Sequence, residues 1–219
     1  MKKSRAEKIL EAATELFLTK GYHATSMDEI AARAGYSKRT LYLDYDNKDD
    51  LFVTVGAGGL EKLVERLRRV PQDNPTIEEF IDGLLKEVFA FSRENHQYFH
   101  VFFSEATPDV IANCPEKLKR RVAGMERAIL GMVVAQVDRA KEAKLIANID
   151  SWEAAGIFIG SVTGIVLLSM AGSQTVFSQT KLDSMARKAA GLIWRGLQHQ
   201  PPEPSPEPAP NPAGEARMQ

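Results

Sequence analysis

Between Thr25 and Leu51 the chain reads TSMDEIAARAGYSKRTLYLDYDNKDDL, and no other stretch constrains the fold as tightly. Ser26 followed by Glu29 is a capping box, in which each side chain satisfies a backbone amide at the start of a helix. The inward face of that helix would hold Ile30, Ala31 and Ala34. Gly35 can take the positive φ that ends it, and Ser37 can cap a second helix at once, leaving a turn of only a few residues. This is helix-turn-helix spacing. The second helix opens with Lys38, Arg39 and Thr40, offering two cations and a hydroxyl while Leu41 and Tyr45 face inward, an arrangement that suits a DNA major groove.

The flanking residues extend the pattern. Ile9, Ala12, Ala13, Leu16 and Phe17 follow the spacing of one helical face, and Gly21 closes a first helix that braces the pair. Asn47 can cap a fourth helix, with Asp49 and Asp50 placed where negative charge meets the positive end of the helix dipole. That helix is expected to run to Arg69, ahead of Pro71 and Pro75. Within it Gly56, Gly58 and Gly59 are poor helix formers, and two readings stand: tight packing against a neighbour, or a soft point between domains.

From Ile9 to about Phe52 these residues resemble the TetR family of transcriptional regulators: an amphipathic first helix ending LFLTKGYHATSM, the DEIAARAGYSKRTLY core, and NKDDLF opening a fourth helix. The chain departs from the family pattern at Tyr36, where a small apolar residue is common, and at Asp44-Tyr45, where His-Phe is common. Tyr45 can fill the apolar slot, whereas Asp44 would repel phosphate. The resemblance implies an all-α chain with an N-terminal three-helix helix-turn-helix DNA-binding domain and a larger helical ligand-binding and dimerisation domain. It implies a ligand-responsive homodimeric regulator, usually a repressor and not an enzyme, whose partners are a palindromic double-stranded DNA operator, a small-molecule effector and a second copy of itself. The implied DNA-binding residues are Thr25, Ser26, Ser37, Lys38, Arg39, Thr40, Tyr42 and Lys48.

Beyond Phe52 the resemblance is architectural only. Phe80, Leu84, Val88 and Phe91 form a helical stripe, followed by a cluster of Tyr98, Phe99, Phe102 and Phe103. A long helix from about Glu116 to Lys144 carries Met125 and Met132. The crowding of these side chains marks a candidate ligand pocket for a mostly apolar molecule. An apolar helix is expected from Ser151 to about Met170 and a last one from Leu182 to Leu197. Gly156, Gly160 and Gly164 form a ridge that lets a second helix approach closely. The family assigns such a ridge to a dimer interface, here with Leu167, Met185, Ala189, Leu192 and Ile193; the alternative is a contact within one chain.

With 219 residues, 44% hydrophobic and 26% charged, the chain can bury a small and a larger core, with boundaries expected at 1–47 and 48–199 and a disordered Pro-rich tail over 200–219. A net charge of −1 and a pI near 6.5 require that any DNA affinity arise from local asymmetry, which Lys2, Lys3, Arg5 and Lys8 supply against Glu7. The single Cys114 rules out an internal disulfide and suits a cytoplasmic location. The N-terminus lacks a signal peptide's apolar run. Residues 154–180 carry no charge, but Ser161, Thr163, Ser169 and Ser173 interrupt them, and no membrane partner is expected. His96 and His100 could present two imidazoles on one helix face, which makes a metal-dependent helical protein or enzyme the rival reading. No third ligand stands nearby in sequence, so no metal, cofactor or catalytic residue is expected.

Overall fold

The computed structural model describes residues 3–70, 76–99, 107–170 and 178–198, and every regular element among them is helical. In chain order these are α1 (Arg5–Lys20), α2 (Met27–Ala34), α3 (Lys38–Leu41), α4 (Lys48–Leu67), α5 (Ile77–Glu94), α6 (Pro108–Ala112), α7 (Glu116–Glu142), α8 (Ser151–Met170) and α9 (Gln179–Gln198). The chain is all-α, with a three-helix helix-turn-helix unit at its N-terminus and a larger helical part behind it. The expected tail over 200–219 lies outside the described residues.

Local chemistry sets the helix ends. Reciprocal capping boxes start α1 (Ser4 with Glu7), α2 (Ser26 with Glu29) and α5 (Thr76 with Glu79). The Asn47 side chain accepts from the Asp50 amide to start α4, and the Ser37 hydroxyl accepts from the Thr40 amide to start α3. Gly35, at φ 75, closes α2 in a conformation that a Cβ would disfavour. The short α3 leads into tight turns, in which the Asp44 and Tyr45 amides both donate to the Leu41 carbonyl at 3.1 Å.

Two apolar clusters organise the packing. The first joins Ile9 and Phe17 of α1, Ile30 of α2 and Leu41 of α3 to Leu51, Phe52 and Val53 of α4, and is completed by Val110, Leu118 and Val122 from α6 and α7. The second packs Leu63 and Leu67 of α4 against Phe80, Leu84 and Phe91 of α5, Val133 and Val137 of α7, and Phe158 and Val162 of α8. Two helices, α4 and α7, therefore belong to both. Hydrophobic continuity with the N-terminal unit extends along α4 as far as Ala57, past the division expected after residue 47.

α4 is continuous through its glycines. A Cβ on Gly59 would lie 2.6 Å from Cδ1 of Tyr98, whereas one on Gly58 would meet nothing within 4 Å. Gly59 thus answers to the packing reading, because the tyrosine ring rests on its backbone. Gly58 has no such reason.

Over Ser151–Leu168, α8 is long and apolar enough to span a membrane by length and composition alone. It packs instead against α7 and α9, burying Ala154, Ala155, Phe158, Val162 and Val166 on its inner face.

Candidate DNA interface and effector cavity

At the DNA-reading end, Arg39 is exposed and forms no ion pair with any described residue. Beside it stand Tyr42 at 45% exposure and Leu43 at 68%, so one turn presents a cation, a phenol and an aliphatic side chain together. Leu43 is absent from the sequence-derived set. Its signal was an apolar residue out of phase with the inward pair Leu41 and Tyr45. Lys38 is exposed and bonded to Asp28 at 2.8 Å. The Ser26 and Ser37 hydroxyls are engaged in caps, and Thr40 lies 2.8 Å from the Ser37 hydroxyl.

Two of the residues expected at DNA are engaged within the chain. Thr25 is 2% exposed, and its hydroxyl donates to the Gly21 carbonyl at 2.8 Å, satisfying a backbone acceptor left free after the end of α1. Lys48 donates to the carbonyls of Tyr22 (3.0 Å) and Thr25 (3.2 Å) and lies 4.0 Å from the centre of the Tyr22 ring. The half-buried cation is held by the loop between α1 and α2. Lys48→Ala is therefore expected to destabilise the fold by about 1–3 kcal/mol, the range for losing charged hydrogen bonds. The salt dependence of DNA binding should stay unchanged, as thermal melting and a salt titration of DNA affinity will measure.

A polar latch ties this end to the larger part. The Tyr22 hydroxyl donates to Asp49, whose other oxygen accepts from the Asn113 side chain at 2.8 Å. Burial first, and then that carboxylate, push the Tyr22 phenol up to about 12. Asp50 is buried, accepts from the Asp46 amide at 3.0 Å, and is held above the usual carboxylate range by desolvation.

Most of the remaining surface charge here is paired. Arg5 makes a two-point contact with Asp44 at 2.7 and 2.8 Å. Lys3 pairs with Glu11, Lys20 with Glu29 and Arg33 with Glu15. Hydrogen bonds from Lys20 and then Ser26 lower the Glu29 carboxyl to about 2. Asp44 is likewise held below the usual carboxylate range by the Arg5 hydrogen bond.

Behind the interface, a cavity of about 330 Å³ lies between α4, α5, α7 and α8. Of the side chains expected there, Leu84, Val88, Phe91, Tyr98 and Phe99 line it. Phe80 does not; it borders a separate void of about 30 Å³ with Phe158 and Trp194. Met125 packs with the first apolar cluster and Met132 against the second, so neither reaches the cavity. Phe102, Phe103 and His100 lie outside the described residues. Sequence reasoning missed the wall from α4, made by Gly59, Leu60, Leu63 and Leu67, and that from α8, made by Ile159, Val162 and Val166. Glu126 and Thr163 are the polar side chains of an otherwise apolar lining. No group of three or more His, Cys, Asp or Glu suited to a metal occurs among the described residues, and His96 is exposed.

Residues 9–55 match the family model for bacterial regulatory proteins of the tetR family. Its N-terminal helix-turn-helix unit is of the TetR type, the type found in the transcriptional regulators that the chain resembles. It is 25% identical over 204 residues to the HTH-type transcriptional activator FasR of Mycolicibacterium smegmatis, covering 90% of this chain and 84% of that protein. It is 33% identical over 85 residues to the negative transcriptional regulator of the icaADBC biofilm operon of Staphylococcus epidermidis, covering 39% of this chain and 44% of that one. Its fold is similar to that of the regulator FadR of Bacillus subtilis in complex with stearoyl-CoA, with a TM-score of 0.65 at 18% identity over 87% of this chain and 98% of that one.

The glycine ridge of α8 is open. A Cβ on Gly156, Gly160 or Gly164 would meet nothing within 4 Å, so no described helix of the same chain covers it. Trp152, Ile157, Leu167 and Leu168 surround the ridge at 36–50% exposure, and Leu192 of α9 stands at 63%. Met185 and Ala189 are half-buried on α9, while Ile193 is turned toward the small void and is partly spent inside the chain.

Arg39→Ala is expected to weaken operator binding by about 1–3 kcal/mol, the worth of one two-point contact to guanine, and to relax preference at one position in each half-site. Fluorescence anisotropy on operator and random duplexes checks this. An equal loss on both would make Arg39 a phosphate contact.

Proposed function

We propose that this chain works as a homodimeric repressor that binds a near-palindromic operator through two helix-turn-helix units and is released when a mostly apolar effector fills the cavity. The carrying observation is that α4 serves both ends: Leu51, Phe52 and Val53 are built into the DNA-reading core, while Gly59, Leu63 and Leu67 form a cavity wall. A ligand that displaces that wall moves the helix on which the DNA-reading unit is packed.

Ser26, Ser37, Lys38, Arg39, Thr40 and Tyr42, joined by Leu43, make up the DNA-facing set in this reading. Polar and charged members fix the duplex, while Arg39, Tyr42 and Leu43 face base edges, where aliphatic groups can meet thymine methyls. The functional division falls near residue 47, with 48–199 carrying effector and dimer functions. The ridge of Gly156, Gly160 and Gly164, with Leu167, Leu168 and Leu192 beside it, pairs with the same ridge of a second copy. Such a self-complementary surface gives two-fold symmetry, and half-sites then lie about 34–36 Å apart or a multiple of that.

A lining of aliphatic and aromatic side chains, with two polar groups, favours a long acyl group, and the stearoyl-CoA bound by the similar FadR fold is the natural probe. The volume falls within the range of about 300–1,000 Å³ common for ligand sites. The repressor sign is that of the icaADBC regulator's name, whereas FasR carries the activator sign. The chain is assigned to the cytoplasm with its DNA. Footprinting purified protein on genomic DNA and sequencing the bound sites tests the reading: near-palindromes are expected, and bound sites without two-fold symmetry would remove the dimeric operator.

A further inference from the structure

Charge balance at the DNA-reading end is unusual for a surface meant to meet phosphate. The first fifty residues hold nine Lys or Arg and nine Asp or Glu. Folding turns that balance into specific pairs. Lys38, the first residue of α3, is bonded to Asp28 of α2, with side-chain exposures of 49% and 68%. Arg5, at the start of α1, grips Asp44 in the turn after α3 with two hydrogen bonds, with exposures of 43% and 18%. Asp44 therefore lies on the segment that carries Arg39, Tyr42 and Leu43, and Asp28 meets that segment from α2 through Lys38. Lys3, Lys20 and Arg33 are paired elsewhere on the unit, and the half-buried Lys48 is bonded to backbone carbonyls. Among the described residues of this unit, Lys8 and Arg39 are the cations with neither an ion pair nor a side-chain hydrogen bond of any kind.

Resting on the reading of this end as a DNA interface, we propose that Asp28 and Asp44 are specificity-determining residues, which withhold Lys38 and Arg5 from sequence-independent binding to phosphate. Sequence-independent affinity is set by how many cations reach the backbone, because each contact releases condensed counterions. A cation already held by a carboxylate gains less on meeting a phosphate, and the carboxylate brought with it is repelled. Exposed ion pairs are weak enough to be exchanged. Where base contacts by Arg39 and its neighbours hold the duplex in register, Lys38 and Arg5 can leave their acids for nearby phosphates. On random DNA nothing holds the register, and the pairs stay closed. Asp44 in this account is no defect in the family pattern: clamped by Arg5, it lowers background affinity in a protein that must find one site among many.

The test uses the full chain with Asp28→Asn, Asp44→Asn and the pair of changes together. Affinity is measured over a salt series on a random-sequence duplex and on an operator recovered by footprinting. Random-duplex affinity should rise several-fold in each single variant, with log K falling more steeply on log salt by about one per cation released. Operator affinity should rise less, so the specific-to-random ratio drops. Adding Lys38→Ala to Asp28→Asn should return the slope to the wild-type value. Asp46→Asn is the control, since that acid has no ion pair among the described residues and its change removes one negative charge without freeing a cation. An equal rise in Asp46→Asn would replace cation release with simple net charge and overturn the proposal. So would Asp28→Asn and Asp44→Asn proteins that melt at lower temperature but keep the wild-type salt slope, because the pairs would then be structural. A wild-type chain that binds no duplex at all would remove the DNA-binding reading itself, and the proposal with it.

Discussion

Gly160→Leu is expected to leave the chain folded and helical but monomeric, and to reduce operator affinity by about 10²–10⁴-fold, the factor lost when two linked binding units become independent. Within the chain the change meets no obstacle, because a side chain at Gly160 projects into open space. Leucine also favours helix over glycine by somewhat less than about 1 kcal/mol, so the isolated chain gains if anything. The damage falls wholly on a partner. Gly156, Gly160 and Gly164 recur at intervals of four, and their lack of side chains lets a second backbone come close. Four extra carbons at the middle position hold that backbone off and uncover Ile157 and Leu168 again. Sedimentation velocity and circular dichroism on the same sample decide it. A dimer of unchanged mass would place the interface on another face.

The second large effect separates two neighbouring glycines of α4. Gly58→Ala is expected to stabilise the protein by up to about 1 kcal/mol, since the methyl group enters open space and glycine is a poor helix former. Gly59→Ala is expected to destabilise it by about 1–3 kcal/mol, the cost of overpacking, because the Tyr98 ring must leave the backbone it rests on. Tyr98 also lines the cavity, and Lys62 stands 5.3 Å from its ring centre. Moving the ring therefore alters the cavity wall and the helix it leans on together. Gly59→Ala should change the response to effector, whereas Gly58→Ala should leave it as in wild type. Melting curves with operator titrations on the two single variants measure both effects. A soft hinge would instead make both variants more stable and both less responsive.

What could be read from the sequence depended on the range of the interaction. Ser26 with Glu29, Gly35, Ser37 and Asn47 act on amides within a few residues, so the helix starts, the short turn and the DNA-reading unit were all legible. The side chains that were misplaced answer to distant parts of the chain. Lys48 carries the same charge and nearly the same sequence neighbours as a phosphate-binding lysine. What removes it from that role is the arrival of the Tyr22 and Thr25 carbonyls, more than twenty positions earlier. Thr25 is the exception: its hydroxyl is taken by the Gly21 carbonyl only four positions earlier, and it is the burial of that turn that sequence spacing does not show. In the cavity, aromatic crowding located α5 and Tyr98 correctly but could not separate Met125, which faces the DNA-reading core, from Ile129 one turn later, which faces the cavity. Nor could spacing in one helix show that Gly59 lies under a ring 39 positions away.

The central claim is that filling the cavity moves DNA affinity through α4, and one titration tests it most directly: operator affinity against stearoyl-CoA for the wild-type chain and for Leu63→Trp. Leu63 lines the cavity from α4, and the larger indole occupies ligand space without touching the DNA-reading residues. The account predicts that stearoyl-CoA weakens operator binding by the wild-type chain at least about tenfold, within the usual allosteric range of 5–150-fold, and leaves Leu63→Trp unmoved. An operator affinity that stearoyl-CoA leaves unchanged in the wild type, or lowers equally in both proteins, would contradict it.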